Sequence, residues 1–241
     1  MNENLTSDTF FNGNIIVYQN SGGYRFSVDA VLLSDFINPP PKTRILDLGT
    51  GSGIIPLLLS FRHKDIRLAA IEIQDSLYQL AAKNVAENGL HERIKVFSGD
   101  MKEFKTGDIE GPFDYVVSNP PYRVMNSGRI NPEKEKAIAR HEICITLADL
   151  IACAKRFLNH FGKLCIIYPA ERLTDLIWTM RHFKIEPSRL QPVQSFTDSD
   201  AELVLIEGVK GGKNGVIFMP PLIIYQEGKK YTKAVEKMFC P

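Results

Sequence analysis

Four consecutive residues, Asn119, Pro120, Pro121 and Tyr122, have the chemistry needed to hold a planar amino group. The two prolines fix their own φ angles, lack N–H donors and favour an extended Asn119, so the turn is rigid. The Asn119 amide oxygen and a backbone carbonyl could accept both hydrogens of an NH₂ group, which helps its nitrogen to present a lone pair. Tyr122 adds an aromatic face on which a planar substrate can stack. The turn therefore predicts group transfer to a nitrogen, although Asn and Pro also occur in ordinary turns.

A second set of candidate residues lies in and after the segment DLGTGSG, residues 47–53. Glycines in such a turn let the backbone bend tightly and approach a ligand. A dinucleotide fingerprint would require glycine or alanine at Ile54, and the lysine and serine of a phosphate-binding Walker loop are also missing. Glu72 and Asp100 each end a later predicted strand. A glycine loop followed by two acids suits a ligand with a ribose, an adenine amino group and a cationic amino-acid end.

Strands and helices alternate along the chain from residue 44 onwards. Short, continuously apolar strands separated by helices are typical of a parallel sheet that is covered on both faces. We therefore predict a doubly wound α/β fold with a mostly parallel, seven-stranded sheet, which binds ligands at the carboxyl ends of its strands. The predicted strands are 44–49, 67–73, 93–100, 113–121, 162–170, 184–196 and 201–209, and the predicted helices are 54–61, 74–89, 145–162 and 171–183.

The composition sets further limits on organisation and partners. We predict an N-terminal extension (1–42), a core (43–210) and a basic C-terminal tail (211–241). Lysine and arginine outnumber aspartate and glutamate by only 29 to 28, so a polyanion would need a local basic patch. The four cysteines form no CxxC pair, so we predict that they bind no metal and are reduced thiols. Reduced cysteines are typical of a protein in a reducing compartment. No apolar run is long enough to cross a bilayer, so we predict a cytoplasmic protein without a membrane partner.

The glycine loop and the two acids that follow it resemble the S-adenosylmethionine-binding, Rossmann-like fold of class I methyltransferases. The resemblance implies S-adenosylmethionine as the cofactor, with its methionine part over the loop, its ribose at Glu72 and its adenine at Asp100 and Met101. The cofactor-binding residues implied in this way are Arg25, Phe26, Ser27, Asp47, Gly49, Thr50, Gly51, Gly53, Glu72, Ile73, Asp100, Met101 and Asn119.

Longer segments are similar to the bacterial tRNA(Val) adenine-N6 methyltransferase family. They are GGYRFSVDAVLLSDF (22–36), the stretch from NPPY to ARHE (119–142) and ELVLIEGVKGGKNGVIFMPPLIIY (202–225). The NPPY turn alone resembles the signature of methyltransferases that act on adenine N6, guanine N2 or a release-factor glutamine. The family resemblance implies methyl transfer to the exocyclic N6 of an adenine in the anticodon loop of tRNA-Val. It implies catalysis by Asn119, Pro120, Pro121 and Tyr122, and substrate binding by Tyr122, Arg123 and Arg129.

Two alternatives stay open. The chain has Tyr122 where family members often have Phe, and Tyr also occurs in release-factor glutamine N5-methyltransferases. Those enzymes usually have a helical domain before the core, for which about forty residues leave little room. A non-catalytic, cofactor-dependent RNA-binding protein would not need the intact turn. Local charge favours tRNA as the partner, since residues 120–140 contain five basic against two acidic side chains and residues 208–237 six against two. We expect a monomer.

Overall fold

The computed structural model describes residues 5–20, 28–121 and 145–239. The strands are β1 (Leu5–Phe10), β2 (Ile15–Asn20), β3 (Arg44–Leu48), β4 (Arg67–Glu72), β5 (Ile94–Ser98), β6 (Phe113–Ser118), β7 (Leu158–Pro169), β8 (Ile185–Gln194), β9 (Ala201–Lys210), β10 (Ile217–Phe218) and β11 (Leu222–Ile223). The helices are α1 (Val28–Phe36), α2 (Ile54–Arg62), α3 (Asp75–Glu87), α4 (Leu147–Phe157), α5 (Leu173–His182) and α6 (Lys233–Phe239). Within these ranges no helix is both long and apolar enough to cross a membrane.

The main sheet brings the ends of β3, β4, β5 and β6 to the same edge. Its strand order is β10–β8–β9–β7–β6–β3–β4–β5, with β11 also paired to β8. Neighbouring strands are parallel except that β9 is antiparallel to both β7 and β8. Because β3 lies between β4 and β6, the loops that follow these three strands are adjacent. The predicted doubly wound, mostly parallel α/β fold is confirmed.

The sheet has nine strands rather than the seven predicted. All seven predicted strands form. The two additional strands, β10 and β11, contain two residues each and pair with the outer side of β8. A two-residue strand is too short to give the alternation of polar and apolar residues from which strands are recognised.

Helices cover both faces of the sheet, as the continuous apolar strands require. One buried cluster joins the sheet to α1, α2, the hairpin β1–β2 and α6. A second cluster, on the other face, joins it to α4 and α5. Strands buried on both sides, such as Ile45–Leu48 and Ile166–Tyr168, contribute alternate residues to the two clusters. The two clusters hold the strand ends in fixed positions relative to each other.

Helix α4 is shorter than predicted, because it ends at Phe157 and β7 begins at Leu158. The helix starts at a capping box in which Thr146 and Asp149 satisfy each other's backbone N–H groups. At the other end, Lys210 Nζ donates hydrogen bonds to the carbonyl oxygens of Lys155 (2.9 Å) and Leu158 (2.6 Å). This amine satisfies carbonyls that a helix end leaves unpaired.

Both ends of the described chain pack against each other and against the core. The Phe10 and Phe239 rings stack with centroids 5.9 Å apart, and the Phe11 N–H donates to the Phe239 carbonyl (3.0 Å). The hairpin, α1 and α6 were not among the predicted elements. The proposed division at residues 42 and 210 stays a prediction.

Candidate functional site

A buried side chain attaches the end of β6 to the end of β3. Ser118, the last residue of β6, donates a hydrogen bond from Oγ to the carbonyl oxygen of Leu48 (2.8 Å). Both residues are buried. Asn119 follows and is partly exposed, Pro120 is buried and Pro121 is exposed. The bond therefore fixes the start of the Asn-Pro-Pro turn relative to the glycine loop that follows β3.

The glycine loop needs glycine for two different reasons. Gly49, Gly51 and Gly53 all have positive φ angles, of 76°, 60° and 82°, a region that side chains with a Cβ rarely adopt. A Cβ at Gly53 would lie 3.2 Å from the Cβ of Ala81 in α3, so this glycine also permits close packing. A Cβ at Gly51 would meet no atom within 4 Å. The backbone at Gly51 therefore faces open space from which a ligand can approach.

The Glu72 carboxylate, at the end of β4, holds the glycine loop in place. Its two oxygens accept hydrogen bonds from the N–H of Gly51 (2.8 Å) and the N–H of Gln74 (2.9 Å). Glu72 is only 4% exposed. A carboxylate has about four acceptor positions, so Glu72 can bind a further donor while it fixes the loop. It is a structural residue of the loop as well as a candidate ligand.

Asp47 is a buried carboxyl group beneath the same loop. It is fully buried, and neither of its oxygens has a hydrogen-bond partner among the residues that the structure describes. Burial and, to a smaller extent, the negative charge of Glu72 raise the pKa of Asp47 to about 7, although the nearby Thr50 hydroxyl favours the ionised form. A buried acid with free acceptor positions is a candidate partner for a cationic ligand group.

The turn after β5 is held by α4. The Asp100 carboxylate accepts the Lys102 N–H (2.9 Å) and lies 3.3 Å from its ammonium group. The Met101 carbonyl oxygen accepts a hydrogen bond from Arg156 Nη2 (2.7 Å) and a weak one from Cys153 Sγ (3.6 Å). Arg156 Nη1 also donates to the Lys102 carbonyl (3.2 Å). The last turns of α4 thus fix the backbone of the predicted adenine-binding residues.

Two apolar side chains border the loops at this edge. Ile73, directly after Glu72, is 43% exposed although it is a large hydrophobic residue. The Met101 Cε lies 3.9 Å from the position that a Gly49 Cβ would occupy. These groups offer the loops an apolar surface suited to a flat ring.

Asparagine side chains of α3 connect the hairpin to the glycine loop. The buried Asn84 amide accepts the Tyr18 N–H (2.8 Å) and donates to the carbonyl oxygens of Tyr18 (3.0 Å) and Ser52 (2.9 Å). Asn88 forms a similar pair of hydrogen bonds with the N–H and carbonyl of Ile16. The two side chains pair with the backbone of β2 as a neighbouring strand would, and they hold the hairpin beside residue 52.

The structure brings together, at one edge of the sheet, the seven residues from Asp47 to Gly53 and the predicted residues Glu72, Ile73, Asp100, Met101, Asn119, Pro120 and Pro121. Three positioning residues were missed. Ser118 and Asn84 left a weak signal, as polar residues at otherwise apolar positions of a strand and a helix face, whereas Arg156 left none. The roles of all the predicted site residues stay predictions, and six of these residues lie outside the described part of the chain: Arg25, Phe26, Ser27, Tyr122, Arg123 and Arg129.

Comparisons with known proteins agree with this geometry. Residues 27–175 match the model of the methyltransferase small domain family. A tRNA1(Val) (adenine(37)-N6)-methyltransferase of Porphyromonas gingivalis is 31% identical over 209 residues, covering 84% of this chain and 81% of that protein. The protein of the same name from Parabacteroides distasonis is 31% identical over 191 residues, or 79% of each chain.

Solved structures show the same fold at low identity. A predicted O-methyltransferase from Agrobacterium tumefaciens superposes with a TM-score of 0.70 at 20% identity, covering 87% of this chain and 94% of that one. The methyltransferase subunit of a type I restriction-modification system from Streptococcus thermophilus gives a TM-score of 0.62 at 20% identity, covering 89% and 52%. The chain has the class I methyltransferase fold and belongs to the methyltransferase small domain family, within it to the tRNA1(Val) (adenine(37)-N6)-methyltransferase family that its motifs resemble.

Proposed function

We propose that the chain transfers the methyl group of S-adenosylmethionine to the exocyclic N6 of an adenine in the anticodon loop of a tRNA. The observation that carries this proposal is the Ser118–Leu48 hydrogen bond, because it sets an Asn-Pro-Pro turn beside a glycine loop. The relatives named for methylation of adenine 37 in tRNA1(Val) support the substrate. An anticodon-loop base is already partly unpaired, which reduces the cost of moving it into the site.

The residues at the strand ends fit the proposed cofactor. S-adenosylmethionine would supply an electrophilic methyl group on a cationic sulfonium. The buried Asp47 carboxyl, whose oxygens lack a hydrogen-bond partner in the described part of the chain, complements a cationic amino-acid end, and the open side of Gly51 leaves room for it. Glu72 retains acceptor positions for ribose hydroxyls. Ile73 and Met101 offer apolar surface for the adenine ring.

Catalysis would depend on the orientation of the acceptor nitrogen. The Asn119 oxygen and a backbone carbonyl of the turn would accept both hydrogens of the amino group, which makes its lone pair available. The prolines keep these acceptors in place without adding donors. A strong general base is not required, because the nitrogen can lose its proton after the methyl group has arrived. Orientation and electrostatics would supply most of the rate increase.

A methyl-transfer assay with two acceptors tests this proposal. The purified chain is incubated with radiolabelled S-adenosylmethionine and either tRNA from a strain that lacks the gene or purified release factors. We expect label in the tRNA, in N6-methyladenosine after digestion to nucleosides. Label in a release-factor glutamine with inert tRNA would identify a glutamine methyltransferase instead. Cofactor binding without transfer to either acceptor would indicate a non-catalytic RNA-binding protein.

A further inference from the structure

A groove of about 710 Å³ lies away from the strand ends that form the proposed active site. One wall is the outer face of α5, with Trp178 and Arg181, and the other is the loop after β9, with Gly211 and Asn214. Glu186, near the start of β8, lies between them. None of the proposed cofactor and methyl-transfer residues that the structure describes lines it.

The groove has an aromatic platform at its rim. Trp178 is 68% exposed, although large aromatic side chains are usually buried for most of their area. Its ring stacks on His182, one helical turn later, with centroids 5.2 Å apart and 17° between the planes. His182 in turn contacts the edge of the Phe183 ring (5.2 Å, 82°). The neighbours therefore support the indole ring while its outer face stays open.

The charges around the platform favour an anionic ligand. Arg181 is paired with Glu186, at 3.1 Å between Nε and Oε1. Lys184 lines the groove, and Lys213 lies between the lining residues of the loop after β9. Both lysines are exposed. The net charge at the groove is positive although the whole chain is nearly neutral.

The backbone at Lys184 is fixed at the groove. Lys184 has a φ of 61°, at the end of α5 where glycine or asparagine is usual. A residue with a long side chain is strained in this conformation. Two hydrogen bonds hold it there, from its N–H to the Arg181 carbonyl (3.0 Å) and from the Gly211 N–H to its own carbonyl (2.9 Å). The second of these bonds joins the end of α5 to the loop after β9, so the two walls of the groove are held together at this point.

The groove is within reach of an RNA that occupies the active site. By the strand register, Glu186 is level with Val209, Lys163 and Tyr115, and Asn119 lies four residues beyond Tyr115. At about 3.3 Å per residue and about 4.8 Å between strands, Glu186 and Asn119 are roughly 20 Å apart within the sheet, which is the least distance that an RNA passing over the protein surface must cover. A stacked strand that rises about 3.4 Å per nucleotide needs about six nucleotides or more for this distance.

We propose that this groove is a second tRNA-binding site, in which a base stacks on Trp178 and the neighbouring phosphates contact Lys184 and Lys213. The inference rests on the proposed function and adds the surface that binds the tRNA outside the reacting nucleotide. Base stacking on an aromatic ring tolerates any sequence, whereas the lysines recognise the phosphate backbone. The site therefore contributes affinity for the tRNA without reading its bases.

Matched variants test the two components of the site. Trp178→Ala should weaken binding of full-length tRNA by about tenfold, and Trp178→Phe should restore part of the affinity. Lys184→Asn removes the charge and keeps a residue that accepts positive φ. It should lower the slope of log Kd against log salt by about 0.7 to 0.9. Lys42→Asn is the control, because Lys42 also has a positive φ (63°) and is exposed, but it precedes β3, four strands away.

A short substrate separates this site from the active site. An oligonucleotide with three nucleotides on each side of the target adenine cannot reach the groove, so wild type and Trp178→Ala should methylate it with equal kcat/KM. If wild type methylates full-length tRNA while the Trp178 and Lys184 variants bind it with wild-type affinity and salt slope, the groove is not a tRNA site. A change in mass by light scattering in Trp178→Ala, without a change in RNA binding, would assign the groove to protein association. Failure of wild type to methylate any RNA would contradict the proposed function instead.

Discussion

The Ser118 hydroxyl and the Leu48 carbonyl form a buried hydrogen bond of 2.8 Å that joins the end of β6 to the end of β3. The residue after Ser118 is Asn119, and the residue after Leu48 is Gly49. The hydrogen bond thus joins the residue before Asn119 of the proposed amine-binding turn to the residue before Gly49 of the proposed cofactor loop. Any shift of one strand end would change the distance between the amine held by the turn and the cofactor held by the loop, which must meet in methyl transfer.

Ser118→Ala should lower both stability and activity. The substitution leaves the buried Leu48 carbonyl without this donor, so we expect the free energy of unfolding to fall by about 1–2 kcal/mol. The rate with saturating substrates should also fall. Ser60→Ala is the matched control, because the buried Ser60 hydroxyl has no partner among the described residues. Because this substitution removes a buried hydroxyl for which the described residues offer no partner, it should not lower the free energy of unfolding. Equal effects of the two variants in urea denaturation would refute a special role for Ser118.

Asp47 should make folding stability depend on pH. Burial raises the pKa of Asp47 to about 7 from an ordinary 3.8, so the folded protein holds a proton that the unfolded chain has lost. The stability that this proton contributes is fully present below about pH 4 and is lost as the pH rises to about 7. Asp47→Asn stays neutral, and its stability relative to wild type should rise over this interval by up to about 4 kcal/mol. Denaturation of both proteins at pH 4, 6 and 8 measures the difference between their free energies of unfolding. An Asp47 with its ordinary pKa would leave this difference the same at all three pH values.

Cofactor binding should release a proton from Asp47. A cation beside the carboxyl favours its ionised form, so at pH 6 we expect the release of up to about one proton for each S-adenosylmethionine bound. Calorimetry in two buffers with different ionisation enthalpies measures this number. Asp47→Asn should bind without proton release, and release that persists in this variant would point to another group.

Arg156 should affect cofactor affinity rather than the methyl-transfer step. Its guanidinium holds the Met101 and Lys102 carbonyls, so Arg156→Gln should weaken S-adenosylmethionine binding by about fivefold to tenfold. The rate at saturating cofactor should stay near the wild-type value, and Arg156→Lys should recover part of the affinity. Lys155→Gln is the control, since it removes the neighbouring positive charge of the same helix. A lower kcat with unchanged KM for the cofactor would contradict this assignment.

Asn119→Ala should abolish methyl transfer and leave cofactor binding nearly unchanged. We expect the single-turnover rate to fall on the order of a hundredfold or more, as when an oriented hydrogen-bonding group is removed from other active sites. Equilibrium dialysis with S-adenosylmethionine provides the control for an intact cofactor site. Near-normal turnover would mean that another group holds the amine.

The sequence was informative where a local pattern determines the structure. The strands that end at Leu48, Glu72 and Ser118 are short apolar runs, and parallel pairing then places the residues after them at one edge. This explains why Asp47, Glu72 and Asn119 could be assigned to a common site before their positions were known.

The missing elements depend on contacts between residues far apart in the chain. The hairpin is held by Asn84, which is 66 residues from Tyr18. The end of α4 is set by Lys210, which is 52 residues from Leu158. The raised pKa of Asp47 follows from its burial beneath the glycine loop. Hydrophobic periodicity contains no information on such side-chain contacts.

Nucleoside mass spectrometry of tRNA from a strain that lacks the gene tests the central claim most directly. Digested tRNA1(Val) from the deletion strain should lack the N6-methyladenosine of its anticodon loop. Wild-type protein supplied from a plasmid should restore it, and a stably expressed Asn119→Ala variant should not. An unchanged level of N6-methyladenosine in the tRNA of the deletion strain, or full restoration by Asn119→Ala, would contradict the account.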